Sequence, residues 1–137
     1  MPGHTTTRSE ESVYESYVLD VRIVECRPAD AGEPRYRFEG PEHRDVTFED
    51  PETATLYADV YFAVNGFVEA ETGDRGIPPE IVMAGKDALA AYMSIQTSVR
   101  WTASFYGAEP QRIERYISSV RAQADRLREQ ARREHTE

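Results

Sequence analysis

The alternation of apolar and polar positions divides the chain into a strand-like first part and a helical second part. Tyr17, Leu19, Val21 and Ile23 alternate with Asp20 and Arg22, the period-two pattern of a strand with one buried face. Pro28 to Pro34 (PADAGEP) is turn chemistry, and beyond it Tyr36 and Phe38 alternate with Arg35, Arg37 and Glu39, which predicts a hairpin. Gly40-Pro41 breaks that strand, and Val46-Thr47-Phe48 is a short third candidate. The first dozen residues have no period and read as a frayed tail.

From Asp50 the period changes. Asp50 can cap a helix with Pro51 in its first turn, and Tyr57, Val60, Tyr61, Val64 and Phe67 form one apolar stripe, expected to pack on the sheet. Asn65-Gly66 is placed to end this helix, and Glu71 to Pro79 (ETGDRGIPP) is a loop. Ile81, Ala84, Ala88, Leu89 and Tyr92 predict a second helix from Glu80 to Ile95, weakened by Gly85. Helical segments Ser98 to Tyr106 and Pro110 to about Arg133 flank Gly107. No internal repeat is visible.

Composition bounds the class. In 137 residues, 25 acidic side chains against 16 basic ones give a net charge of -9, and the hydrophobic share of 39% supports one modest core. No apolar run approaches the roughly 20 residues needed to cross a bilayer, and the amino terminus lacks a signal-peptide pattern, so a cytoplasmic protein without membrane spans is expected. The single cysteine, Cys26, allows no internal disulfide. Lys86 is the only lysine. An acidic, lysine-poor chain stays hydrated in concentrated salt, which suits a haloarchaeal cell; a GC-rich genome that writes Arg for Lys gives the same bias. Residues 1 to 99 hold 8 basic and 19 acidic side chains, residues 100 to 137 hold 8 and 6. An anionic partner should therefore meet the carboxyl-terminal third.

That third contains Val99 to Val120, VRWTASFYGAEPQRIERYISSV, which resembles the helix-turn-helix of DNA-binding regulators. Ala103, Gly107 and Ile113 stand where that motif has a small residue for close helix crossing, a turn glycine and a branched apolar residue sealing the pair. Tyr106 and Ala108 flank the glycine, Pro110 starts the second helix, and Tyr116 and Ile117 supply its next inward turn. The whole chain also looks like small haloarchaeal proteins, which implies a habitat and no activity.

The resemblance makes Glu80 to Ile95 the preceding helix and Gln111 to Ser119 the recognition helix. Its outward residues would be Gln111, Arg112, Arg115 and Ser119, with Arg100 or Arg121 on phosphates. Arginine can bond guanine O6 and N7 together, and glutamine adenine N6 and N7. Glu109 and Glu114 on or beside the same surface repel phosphate unless they accept from cytosine or pair with arginines. A plain helical hairpin, packed through the same Ala, Gly and Ile, would give identical spacing.

Ile113, Ile117, Val120, Ala124, Leu127 and Ala131 also recur at alternating intervals of four and three, the seam of a two-helix coil. Val120, Ala124 and Leu127 are thus the expected seam of a homodimer, which would pair two recognition helices; folding back on the chain's own strand face is the alternative.

Catalytic and metal patterns are missing. His4, His43 and His135 have no ligand spacing. Ala84-Gly85-Lys86-Asp87 lacks the rest of a phosphate loop, and Asp50, Glu52 and Asp59 suit a helix start for dipole reasons alone. No enzyme activity and no cofactor is implied.

The sequence therefore predicts an α+β fold. A small antiparallel sheet of two or three strands plus a helix is followed by a helix-turn-helix and a long C-terminal helix. Residues 1–12 would be a disordered tail and 13–137 a single domain, with sheet and helix at 13–70, the helix-turn-helix region at 80–122 and a helical extension at 123–137. The expected function is sequence-specific DNA binding by a cytoplasmic regulator; the rival is a protein-interaction adaptor.

Overall fold

The computed structural model describes residues 10–29, 32–41, 43–67 and 77–135. The fold is α+β. Four strands, β1 (Glu10–Ser16), β2 (Arg22–Arg27), β3 (Arg35–Gly40) and β4 (His43–Phe48), precede five helices, α1 (Pro51–Ala63), α2 (Pro79–Ala84), α3 (Lys86–Gln96), α4 (Val99–Tyr106) and α5 (Pro110–His135). The chain forms two compact units that divide between Thr55 and Leu56, inside α1.

The sheet is an antiparallel meander in the order β1-β2-β3-β4. Ile23 pairs with Phe38 and Phe38 with Val46, so these three share one face; Ile23 and Phe38 are fully buried. Val24 pairs with Arg37 and Arg37 with Thr47 on the other face. There Arg37 Nε donates to Glu39 Oε2 at 2.7 Å and its Nη2 to Glu11 Oε1 at 3.0 Å, while Arg22 Nε donates to Glu39 Oε1 at 2.7 Å.

The sheet has one strand more than expected, for a local reason. Residues 10–16, assigned by sequence partly to the tail, form β1, an edge strand exposed along its whole length and therefore without the alternation that marks a half-buried strand. The alternation from Tyr17 to Ile23 is not a strand. It straddles the β1–β2 turn, where Leu19 and Asp20 both take positive φ, 61° and 62°, and Tyr17 N–H donates to Val21 C=O at 2.8 Å. Two successive left-handed residues match the twist of a hairpin, but such a turn is normally written Asn-Gly, so Leu-Asp gave no signal. β3 and β4 stand at the two later strand candidates, Tyr36 to Glu39 and Val46 to Phe48.

α1 begins as its sequence suggests: Asp50 Oδ1 accepts from Thr53 N–H at 2.8 Å, satisfying a free first-turn donor. It ends in a Schellman-type turn. Asn65 (φ 63°) occupies the left-handed position, and Gly66 N–H reaches back to Tyr61 C=O at 2.7 Å. Phe67 then folds back, with its ring 5.6 Å from Tyr57 and 6.2 Å from Tyr92. The expected loop at 71–79 lies mostly outside the described residues. The helix expected from Glu80 to Ile95 is two helices, because Gly85 (φ 114°, ψ -176°) breaks it between α2 and α3.

Candidate nucleic-acid interface

The last three helices form a trihelical arrangement whose small contact residues set its geometry. Ala90 on α3, Ala103 on α4 and Ile113 on α5 make one buried cluster, with Val99, Tyr106, Tyr116 and Ile117 packed against it. Alanine at two of the three positions lets the helix axes approach closely. Thr102, fully buried, donates its hydroxyl to Ser98 C=O at 2.8 Å, and Ser94 Oγ of α3 lies 3.3 Å from Thr102 Oγ1. Ser98 also caps α4 by accepting from Trp101 N–H at 3.0 Å.

Gly107 makes the elbow between α4 and α5. Its φ of 65° and ψ of 39° are left-handed. Its N–H bonds Ser104 C=O at 3.1 Å, and the Ala108 N–H bonds Ala103 C=O at 2.9 Å. This is the double closure that satisfies the last carbonyls of a helix. A side chain at Gly107 would meet nothing within 4 Å, so glycine is required for its φ and not for space.

Beyond the elbow, α5 presents its outward residues. Gln111, Arg112, Arg115 and Ser119 are all exposed. At about 100° per residue they fall within one arc of roughly 100°, opposite the buried Ile113, Val120 and Ala124. Gly107, Ala108, Glu109, Gln111, Arg112 and Arg115 line one surface hollow. Ser119 instead borders a second hollow with Lys86 and Asp87, some 12 Å along the helix from Gln111 at about 1.5 Å per residue. Arg100 is exposed on α4. Among the described residues, no ion pair is formed by Arg100, Arg112 or Arg115.

Arg121 differs from these. Its Nη1 donates to Asp59 Oδ2 at 2.6 Å, and Arg128 Nη1 donates to Asp59 Oδ1 at 2.9 Å. Burial pushes the Asp59 carboxyl above the usual aspartate value, outweighing the pull of both guanidiniums. Arg121, with its side chain 39% exposed, is thus held by α1. Sequence could not separate it from Arg115, since its partner stands 62 residues away.

The expected dimer seam is likewise spent within the chain. Val120 is 3% exposed and Ala124 is fully buried, and Leu127 is half-buried. The seam-like period arises because α5 packs lengthwise on its own unit, and a coiled coil with a second copy would have to displace that packing.

One feature went unread in the sequence. Trp101 (47% exposed) and Phe105 (63% exposed) stack on the outer side of α4, with ring centroids 5.5 Å apart and planes 10° from parallel. Their spacing of four residues was the available signal.

Among the described residues no three His, Cys, Asp or Glu side chains gather as a metal site, and no helix is long and apolar enough to cross a membrane. His43 is buried edge-on to Phe38 at 5.1 Å, a packing role. His4 and the His135 side chain lie outside the described residues. Comparisons with known protein families, with curated proteins and with solved structures find no match.

Proposed function

We propose that this chain is a sequence-selective DNA-binding regulator, reading base edges with the start of α5. One observation carries the reading: the left-handed Gly107 elbow and the Ala90–Ala103–Ile113 cluster support a helix-turn-helix whose recognition face leaves Gln111, Arg112 and Arg115 exposed and, among the described residues, the two arginines without an ion-pair partner. Gln111 and Arg115 are suited to paired hydrogen bonds with adenine and guanine. Arg100, on α4, is suited to a backbone phosphate. Arg121, tied to Asp59, is left out of the set.

Net charge shapes the mode of binding. Phosphate contacts act through counterion release, and a chain of net charge -9 gains little non-specific attraction, least of all in concentrated salt. Exposed Glu109 and Glu114 reinforce the penalty for a poorly matched duplex. A cytoplasmic protein of a salt-rich cell, haloarchaeal in its composition, fits these properties.

The test is selection of genomic DNA fragments at high salt, followed by titration of variants on the enriched duplex. Arg115→Ala should weaken that duplex by about 1 to 3 kcal/mol with the fold intact, whereas Arg100→Ala should weaken all sequences alike. If no fragment is enriched over background, the regulator reading fails and a protein-interaction adaptor becomes the better account.

A further inference from the structure

The stacked Trp101 and Phe105 pair requires an explanation that DNA reading does not supply. On α4 the buried side is formed by Thr102 and Ala103, with Tyr106 half-buried. Arg100 and Ser104 share one exposed flank, and Trp101 and Phe105 the other, about 100° around the helix. A surface that uses Arg100 for phosphate therefore turns the two rings away from the duplex.

Charge identifies what can cover them. The chain has 25 acidic residues in 137, yet none falls between Asp87 and Glu109, and Arg100 is the only charged residue in that interval. Two copies of a chain with net charge -9 repel one another overall. At α4 they can approach without setting carboxylate against carboxylate, and both gain by removing aromatic surface from water. A two-fold axis passing beside α4 brings the pair on one copy against the same pair on the other.

We propose that the Trp101–Phe105 face of α4 is the centre of a two-fold interface between copies of this chain. The occupant is a second copy, and the interface replaces the seam on α5 that internal packing consumes. The two half-exposed rings offer on the order of 200 Å² per copy, well short of the roughly 800 Å² per partner in a stable complex. Pairing is accordingly weak in free solution and strengthens where copies are held close. Its relation to α5 rests on the DNA-binding reading, but self-association does not, so each can fail without the other.

Trp101 is the only tryptophan and reports directly on its own burial. Sedimentation velocity of the full chain from micromolar to millimolar concentration, in high salt, is combined with Trp101 emission and acrylamide quenching at each concentration. The expected result is a dimer at the upper end, with emission shifted to the blue and quenching reduced in step with the dimer fraction. Phe105→Glu should weaken association by on the order of tenfold or more, while Met83→Glu, at an 84% exposed position on α2, leaves it unchanged. Circular dichroism checks folding, and Phe105→Ser decides the matter if the glutamate variant does not fold. A monomer at every concentration, a dimer indifferent to position 105, or a dimer in which Trp101 remains fully quenchable would each overturn the proposal. So would quenching of Trp101 by duplex DNA under monomeric conditions, which would make the rings a nucleic-acid contact.

Discussion

Arginine does opposite work in the sheet and in the α4–α5 elbow. In the sheet Arg22, Arg27 and Arg37 each hold a carboxylate, at 2.7 to 3.0 Å. At the elbow Arg100, Arg112 and Arg115 are exposed and, among the described residues, hold none. The residue type is the same; the sheet segment is rich in acids and the stretch between Asp87 and Glu109 has none, and the fold decides which acid stands opposite which arginine. β pairing aligns Arg22 with Glu39 across strands, whereas the exposed arc at the start of α5 faces solvent. An arginine left unpaired in an acidic protein is available to a ligand, and a paired one is part of the fold.

The largest test of that contrast is at Asp59. Asp59→Ala removes the buried acid that Arg128, whose side chain is 13% exposed, shares with Arg121 and leaves Arg128 to its bond with Asp125 at 2.6 Å, and should cost about 1 to 3 kcal/mol in urea unfolding. It also frees Arg121, so a variant of undiminished stability would group Arg121 with the exposed arginines of the elbow. Arg37→Met should cost about 1 kcal/mol, since its network is partly open to water, and leave affinity for the selected duplex unchanged. Loss of DNA binding in that variant would erase the distinction between the two regions.

Acid titration sharpens the comparison. A hydrogen bond from Arg37 holds Glu11 below the usual glutamate value; at Glu39 burial pushes upward but hydrogen bonds from Arg22 and Arg37 prevail. Below pH about 5 the unfolded chain binds protons that these folded groups refuse, so their stabilisation is lost as pH falls through their folded values. Asp59 acts in the opposite sense. Its folded value is raised above 3.8, so between the two values the folded chain keeps a proton that the unfolded chain releases, and acidification favours folding. Unfolding curves between pH 3 and 6 should therefore show a steeper acid loss for Asp59→Asn than for the parent chain, and a shallower one for Glu39→Gln. Equal slopes in all three would show that neither set of arginines governs its carboxylates.

The smallest effect compares two left-handed turns. Gly107 meets the requirement with glycine and Leu19 with a side chain that disfavours it. Gly107→Ala should cost about 1 kcal/mol and Leu19→Gly should gain a few tenths to about 1 kcal/mol, both read as shifts in the urea midpoint. A loss at Leu19→Gly would mean that the exposed leucine contributes contacts worth more than its strain.

Local chemistry made much of this molecule legible. The alternation around Tyr36 and Phe38, the Asp50 cap and the Ala103–Gly107–Ile113 spacing act within a few residues, so the sequence alone determined β3, the start of α1 and the position of the α4–α5 elbow. Other features depended on partners that sequence distance hides. β1 has no buried face to leave a pattern, and the β1–β2 turn uses Leu19 and Asp20 where glycine or asparagine would have announced it. Whether Val120 and Ala124 face a second copy or their own unit cannot be read from a period that both arrangements produce. Likewise Arg121 and Arg115 are equivalent on paper. Only the tertiary structure, by setting Asp59 against one and solvent against the other, decided which one the fold holds.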